Sequence, residues 1–419
     1  MEPVRFGVVG IIGYALTHLK GLRTLQGQGV ELWGVVAKFP EENPELLDEL
    51  RREGVRIFAG VEEMLEAGRG VLDVVTLPTS IPSHAPLAVQ AMRAGYHVYC
   101  EKPPAATVQD VDRMIATSAE TGRACAIGFQ GIYMSSTQSL KRALLSGELG
   151  EVRRIACRYA APRPLSYYRR NRWAGRLASD GAWVLDGPMN NAFAHQLQAM
   201  LFLAGSSQHE AAVPRTVQAE LYRSKPYIES DDTGCLRVEC EGGTSIYFVA
   251  SHSVSATTGP DIEIETTTDR IRWNIGDTVA VRERGEPIQL GGEDESRYNG
   301  FLNVADVVRG RAAAPLCRVG ITRGFVVCIN GAHESSGRIH PVPAERTQEW
   351  NVEGRGGPCT VIPELPPIME RAFAERALFS EIGVEWAVPT PRVDVTGYSH
   401  FPRTPGLHGS STAVASSRS

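Results

Sequence analysis

The sequence predicts two architectures in one chain. An amino-terminal α/β domain is doubly wound on a parallel sheet, and a carboxyl-terminal α+β domain is built on a large, mostly antiparallel open sheet. Three observations carry this. The first 128 residues alternate strand-like apolar runs with helices of about 10–15 residues. Two of those runs, Val71–Leu77 and His97–Cys100, are almost continuously apolar, as strands covered on both faces should be. After about residue 129 the apolar pattern alternates with period two and is punctuated by glycine turns.

Taken in order, Val4–Val9 reads as a strand, Tyr14–Gln26 as a helix, Glu31–Val36 as a strand and Pro44–Glu53 as a polar helix. Val55–Phe58 is a short strand, and the Val71–Leu77 strand follows. The spacing predicts a helix over Ser83–Ala94 that ends at Gly95, then the strand His97–Cys100. Thr107-Val108-Gln109-Asp110 resembles a capping box and opens a helix running to Gly122, and Ala124–Phe129 closes the series. In the second half, a helix over Ser136–Ser146 precedes alternating strands at Arg153–Tyr159, Thr216–Tyr222, Leu236–Cys240, Ser245–Ser251 and Asp261–Thr266. A helix is expected over Asn190–Leu203, and two more over Gly300–Arg309 and Ile321–Ser336. These patterns divide the chain into 1–128, 129–340 and a 341–419 extension. The extension holds one amphipathic helix, Pro366–Ile382, and about its last fifteen residues read as disordered.

The formal net charge of −5 gives no general attraction for phosphate backbones or anionic membranes, so neither nucleic acid nor membrane is expected as a partner. No run approaches about 18 consecutive apolar residues, and Met1-Glu2-Pro3 leads straight into a strand rather than a signal peptide. The eight cysteines form no CxxC pair and mostly sit inside apolar runs, which reads as reduced thiols of a cytoplasmic protein. No histidine/carboxylate cluster has metal-ligand spacing, so no metal is expected.

The turn after the first strand reads Gly10-Ile11-Ile12-Gly13-Tyr14-Ala15. A dinucleotide fold needs a glycine for the tight turn, a small residue where backbone meets pyrophosphate, and a third for helix–strand packing. Gly10 and Ala15 occupy the first and third positions; Ile12 stands at the middle one, with Gly13 one residue late. The helix that follows would still offer free N–H groups to a pyrophosphate. At the end of the second strand, where an acid usually holds the ribose hydroxyls, stands Ala37-Lys38. Lys38 suits a 2′-phosphate or is a solvated surface lysine; both readings stay open, and NADP is favoured over NAD.

Pro78 follows the next strand and leads through Thr79-Ser80-Ile81-Pro82-Ser83 to His84, and Glu101-Lys102-Pro103 ends the fifth strand. With His18 eight residues after Gly10, these segments resemble the Gfo/Idh/MocA oxidoreductases, the glucose–fructose oxidoreductase and inositol dehydrogenase group. The resemblance covers residues 4 to about 340 by order of elements and is most specific at Glu101-Lys102-Pro103. It implies a Rossmann dinucleotide-binding domain, a substrate-binding and oligomerising second domain, and a homodimer or homotetramer. Cofactor contacts are then expected at Gly10, Ile11, Ile12, Gly13, Ala37, Lys38, Pro78, His84, Glu101 and Lys102. A lysine at the carboxyl end of a parallel strand projects into the ligand crevice, where it can hold a hydroxyl and stabilise developing alkoxide charge.

The family's second motif is Asp-x3-His at the start of a helix. Asp186 matches its aspartate, but Asn190 stands at the histidine position and the nearby imidazole is His195. Asn191 and His195, four apart, share a face of the expected helix. Lys102, Asp186 and His195 are therefore the expected catalytic residues. Asp186 as a helix cap and His195 as a core histidine are the structural alternatives. Upstream, Arg163 to Trp173 interleaves guanidinium groups with aromatic rings. Tyr168, Arg172 and Trp173, with Asn190 and Asn191, are expected to bind a polyol, rings on the C–H face and polar groups on the hydroxyls. Single-stranded nucleic acid could use a similar run, but the negative chain charge opposes it.

The resulting expectation is an NAD(P)-dependent oxidoreductase moving a hydride between a nicotinamide and a secondary hydroxyl or keto group of a sugar, glycoside or cyclic polyol. A redox-neutral glycoside-cleaving enzyme with tightly held nucleotide is the alternative within enzymes, and a non-catalytic nucleotide-binding regulator the alternative outside them. The intact Glu101-Lys102-Pro103 triplet favours an enzyme.

Overall fold

The computed structural model describes residues 2–292, 297–351 and 357–409. Two compact units share the chain, and neither is contiguous. The first takes residues 1–105, 110–134 and 294–322; the second takes 106–109, 135–293 and 323–419.

The first unit runs β1 (Val4–Val9), α1 (Ala15–Thr24), β2 (Val30–Val36), α2 (Pro44–Arg52), β3 (Arg56–Phe58), α3 (Val61–Ala67), β4 (Val74–Leu77), α4 (Ile81–Arg93), β5 (His97–Cys100), α5 (Val108–Thr121) and β6 (Cys125–Ile127). Its six strands are all parallel, in the order β3-β2-β1-β4-β5-β6. The strand order reverses between β1 and β4, so their carboxyl ends flank a topological switch point, where open α/β sheets bind ligands. Phe6, Val8, Val74, Val75 and Val98 are fully buried, which is why these strands read as apolar runs. A helix from late in the chain, Asn299–Val308, completes the unit by placing Phe301 against Phe6, His18 and Tyr99 at 4.8–5.9 Å between ring centres.

Two local expectations change here. The strand expected from Val71 begins only at Val74. The amides of Val71 and Leu72 both donate to the Gly68 carbonyl, closing the turn that ends α3. Helix α3 itself, seven residues with two acids in its first turn, was not anticipated.

The second unit contains β7 (Val152–Ala160), β8 (Ala178–Ser179), β9 (Ala182–Trp183), β10 (Pro214–Arg223), β11 (Thr233–Cys240), β12 (Ser245–Ser251), β13 (Thr258–Thr266), β14 (Arg270–Trp273), β15 (Val279–Arg282), β16 (Ile288–Gln289), β17 (His340–Pro341), β18 (Gln348–Asn351), β19 (Pro358–Val361) and β20 (Val393–Asp394). The main sheet has ten strands in the order β16-β15-β14-β13-β7-β12-β11-β10-β17, with β20 also on β10. It is largely antiparallel, but β7 and β12 run parallel, so their carboxyl ends lie side by side. Between β17 and β20 the free edge of β10 is covered by the helix Arg323–Ser336. Ser335 and Ser336 accept from the Ala219 and Leu221 amides through their hydroxyls, at 2.9 and 3.2 Å.

Residues beyond 341 share this unit's core: Val342, Ile362, Leu365, Met369, Phe379 and Trp386 pack in one cluster with Tyr222 and Tyr247. The helix expected over Pro366–Ile382 spans Leu365–Glu375. Arg376 adopts a left-handed conformation (φ 54°) and ends it. Of the tail expected to be disordered, residues from 410 onward lie outside the described residues, and Leu407–Gly409 form a short 3₁₀ turn. No helix among the described residues is long and apolar enough to cross a membrane.

Candidate functional site

The turn between β1 and α1 depends on Gly10. Its φ of +118° lies in a region that side chains rarely adopt, and a Cβ there would press on the Ala15 methyl at 3.3 Å. Its amide donates to the Val36 carbonyl, tying the turn to β2. Gly13 is also left-handed, with φ +57°. Ile11 points inward and its carbonyl accepts from the Asn43 amide; Ile12 points out, 47% exposed. No side chain caps α1; the amides of Ala15, Leu16 and Thr17 donate instead to the carbonyls of Ile12, Gly13 and Tyr14, at 3.2, 3.3 and 3.0 Å. The N–H groups expected free at the helix start therefore close the turn, and the backbone of Gly10 to Gly13 is what faces a ligand. The arrangement fits a dinucleotide pyrophosphate. At the end of β2, Ala37 is buried and bonded to the Phe58 carbonyl, whereas Lys38 is exposed with its ammonium 5.5 Å from the Phe39 ring.

The ends of β4 and β5 are tied together by His84. Its Nδ1 lies 2.8 Å from the Pro103 carbonyl and its Nε2 3.1 Å from the Thr79 carbonyl, one residue past buried Pro78. Burial lowers its pKa, against the opposing pull of those carbonyls and Glu101. Glu101 is itself buried. One carboxylate oxygen receives His18 Nε2 at 2.9 Å and the Gln130 amide at 3.2 Å; the other receives the Lys102 backbone N–H at 3.1 Å. Burial pushes the Glu101 pKa up, but the hydrogen bond and charge of His18, with Lys102, outweigh it and leave the value below the ordinary one. Glu101 thus remains a carboxylate that fixes the backbone of Lys102, whose half-exposed side chain follows β5; the Lys102–Pro103 peptide is cis. The Tyr14 hydroxyl, which sequence reasoning passed over, accepts from Gln130 at 3.4 Å. Burial first, and Glu101 second, push its pKa up to about 12.

In the second unit Asp186 is buried, and its carboxylate is held from three sides. It accepts the Gly175 amide at 2.7 Å and the Asn191 side chain at 2.6 Å, and Arg170 stands 3.7 Å away. Arg170 lies over the rings of Tyr167 and Trp173, at 3.7 and 5.2 Å. Asp186 and Asn191 are therefore brought together.

The structure bears on three expectations. The Asn190 NH₂ donates to the carbonyls of Val184 and Leu185, at 3.1 and 2.9 Å, and the residue is buried. It pins the turn in which Leu185 takes φ +53°. The single helix expected over Asn190–Leu203 is two: a π-helical turn, Pro188–Ala192, and an α-helix, Ala194–Leu203. Phe193 (φ −117°, ψ 21°) separates them, so i, i+4 spacing does not place Asn191 and His195 on one continuous face. His195 is half-buried in the first turn of the second helix. Tyr168, expected on the substrate, has its hydroxyl bonded to His252 Nδ1 at 2.9 Å in a buried position. Arg172 is exposed and Trp173 half-buried.

Two further residues stand here without a motif to announce them. Asp231 is buried against Gly187, where a Cβ would come within 2.2 Å of its Oδ1. Burial first, then the charges of Asp232 and Asp186, push its pKa up to about 7. His252 follows β12 among the rings of Tyr167, Tyr168 and Phe193. An Asp-Asp pair before a strand and a histidine after one are too common in sequence to signal a site.

Residues 4–129 match the model of an oxidoreductase family with an NAD-binding Rossmann fold, and residues 137–272 match the GFO/IDH/MocA C-terminal domain. The chain is 28% identical over 170 residues to myo-inositol 2-dehydrogenase of Thermotoga maritima, 40% of this chain and 48% of that protein. It is 29% identical over 148 residues to glucose-6-phosphate 3-dehydrogenase of Bacillus subtilis, 35% of this chain and 40% of that one. These alignments span less than half the length of either relative. In fold, the chain is similar to the WlbA dehydrogenase of Bordetella pertussis, solved with NADH and UDP-GlcNAcA (TM-score 0.64, 21% identity, 80% of this chain and 97% of that one). It is similar too to the UDP-N-acetylglucosamine 3-dehydrogenase GnnA of Acidithiobacillus ferrooxidans (TM-score 0.61, 19% identity, 78% and 96%). With both of its domain models matched in order, from the strand that opens the first unit to the sheet of the second, this chain belongs to the Gfo/Idh/MocA oxidoreductase family.

Proposed function

We propose that this protein is an NAD(P)-dependent oxidoreductase acting on a secondary hydroxyl, or the corresponding ketone, of a sugar, glycoside or cyclic polyol. The observation that carries the reading is Lys102 at the carboxyl end of β5, its backbone fixed by a buried carboxylate and by a turn anchored on His84. The backbone of the turn from Gly10 to Gly13 would hold the pyrophosphate, with Lys38 beside the adenosine ribose. When bound, the nicotinamide supplies a hydride acceptor or donor. Lys102 holds the substrate hydroxyl and stabilises its oxygen as negative charge develops. The second unit supplies Asp186, oriented by Gly175, Asn191 and Arg170, to accept a hydrogen bond from a substrate hydroxyl, and His195 to exchange the proton. The polyol's C–H face packs on Trp173, and Arg172 bonds its hydroxyls. A homodimer or homotetramer through the open sheet, and a cytoplasmic location in keeping with eight free, buried cysteines, belong to the same proposal.

The test follows nucleotide reduction by absorbance over a panel of sugars, glycosides and polyols with NAD and with NADP. At least one substrate should accumulate reduced nucleotide. Lys102→Ala should lower its turnover roughly 10²-fold while nucleotide affinity changes little. Undiminished turnover in that variant removes the lysine from the reaction, and glycoside cleavage without net reduction replaces the dehydrogenase by a redox-neutral enzyme.

A further inference from the structure

The carboxyl ends of β7 and β12 lie side by side, and just past them the chain places Arg163 and His252. The two residues are direct neighbours: the Arg163 amide donates to the His252 carbonyl at 3.3 Å. Each carries a buried polar nitrogen with no hydrogen-bond partner among the described residues, Nε of Arg163 and Nε2 of His252. Guanidinium Nε always bears a hydrogen and is a donor. The Tyr168 hydroxyl meets Nδ1 of His252, and in the tautomer in which the phenol donates to Nδ1 the imidazole hydrogen lies on Nε2, making it the second donor. The His252 side chain is almost wholly enclosed. An orphaned buried donor costs about 1–3 kcal/mol, so two at adjacent positions call for an acceptor that the described residues do not provide.

The run that carries Arg163 is one-sided in charge. Residues 161–179 contain five arginines and no aspartate or glutamate. Arg170 is compensated by Asp186, and Arg176 by Glu229. Arg163, Arg169 and Arg172 have no acidic partner among the described residues. The Arg163 guanidinium is held over the rings of Tyr167 and Phe193, at 5.1 and 5.8 Å, which orients its fork. A neutral hydroxyl would satisfy one donor; an oxyanion satisfies both and neutralises the excess charge.

We propose that Arg163 and His252 form an oxyanion subsite and that the substrate is an anionic sugar or polyol, carrying a carboxylate or phosphate group. This rests on the oxidoreductase reading above and narrows its substrate class. Asp186 marks where the hydroxyl-bearing part lies, and Arg163, backed by Arg169 and Arg172, holds the acidic group.

The experiment measures thermal unfolding with NAD present throughout, in inorganic phosphate, acetate or chloride at one ionic strength. Phosphate or acetate should raise the midpoint above the chloride control in a concentration-dependent way, and which of the two does so identifies the group. The rise should disappear in Arg163→Gln and shrink in the exposed variant Arg172→Gln, which keeps the test readable if the first variant folds poorly. In turnover, an acidic sugar should exceed its neutral parent in kcat/KM by roughly 10- to 100-fold, and Arg163→Gln should erase that ratio. Equal midpoints in all three salts, or a rise that both variants retain, overturn the subsite even if neutral sugars are oxidised. A rise lost in the variants, with no nucleotide reduced by any sugar, leaves the subsite standing and overturns the oxidoreductase reading instead.

Discussion

His18 Nε2 and Glu101 Oε1 meet at 2.9 Å, joining the first helix of the parallel-sheet unit to the end of its fifth strand in a pocket closed to water. The His18 ring is packed edge-on by Tyr14 and Phe301, so the contact is set by packing as well as by charge. The Glu101 pKa is depressed in the fold, so its contribution to stability is present above the unfolded value of about 4.3 and lost as pH falls through the lower folded value. Glu101→Gln should cost about 3 kcal/mol near neutrality, the scale of breaking a buried pair from one side, and should flatten the acid limb of the stability curve. Denaturant unfolding of both proteins across that range checks it; parallel curves would sink the idea.

Asp231 runs the other way. A carboxyl whose folded pKa is about 7 stays protonated in the fold while the unfolded chain ionises it from about pH 3.9 upward. Stability should therefore fall as pH rises from about 4 to about 7 and level off above that. Asp231→Asn, which cannot ionise, should lose this slope and become the more stable protein at alkaline pH. Unfolding midpoints for the two proteins at the ends of the window decide it, and an unchanged slope would show that the acid is ionised throughout.

Asn190→Ala should act on the fold more than on the substrate. It removes two donors to the Val184 and Leu185 carbonyls, so a loss of roughly 1–3 kcal/mol is expected, with KM little changed in the surviving enzyme. His195→Asn should instead lower turnover and shift the acid limb of the pH–rate profile while leaving stability nearly intact. If Asn190→Ala raises KM at unchanged stability, its amide reaches the ligand after all.

Lys38 follows a β2 end that lacks the ribose-binding acid, so NADP should bind at least as well as NAD. Lys38→Asp should reverse the preference. Fluorescence titration with the two reduced nucleotides measures this directly; absence of NADP binding by the parent protein would assign the lysine to its Phe39 contact alone.

Much of this was legible in the sequence because it rests on local periodicity. β1, β5 and β12 carry uninterrupted apolar or alternating runs, and their limits match the structure residue for residue. The Glu101-Lys102-Pro103 end of β5 was legible from its position after such a run. What stayed hidden depends on chain segments far apart or on backbone detail. Asp231 acquires its environment from Gly187, and His252 from Tyr168 and Arg163, none of them neighbours in sequence. The break at Phe193 was invisible because a π turn followed by an α-helix has almost the same residue composition as one helix. Helix α3 is short, with a single apolar pair, Met64-Leu65, facing inward, too little for a period to show.

The late helix Asn299–Val308 bears on how the protein is made. Ring contacts from Phe301 close the pocket around His18, yet Phe301 leaves the ribosome long after every strand of the parallel sheet has emerged. Until then the aromatic faces of Phe6 and Tyr99 lack their cover, and the nascent sheet exposes sticky surface that attracts holding chaperones. A stop codon placed after the sixth strand would release a fragment trapped in that unfinished condition, prone to clump rather than to bind nucleotide.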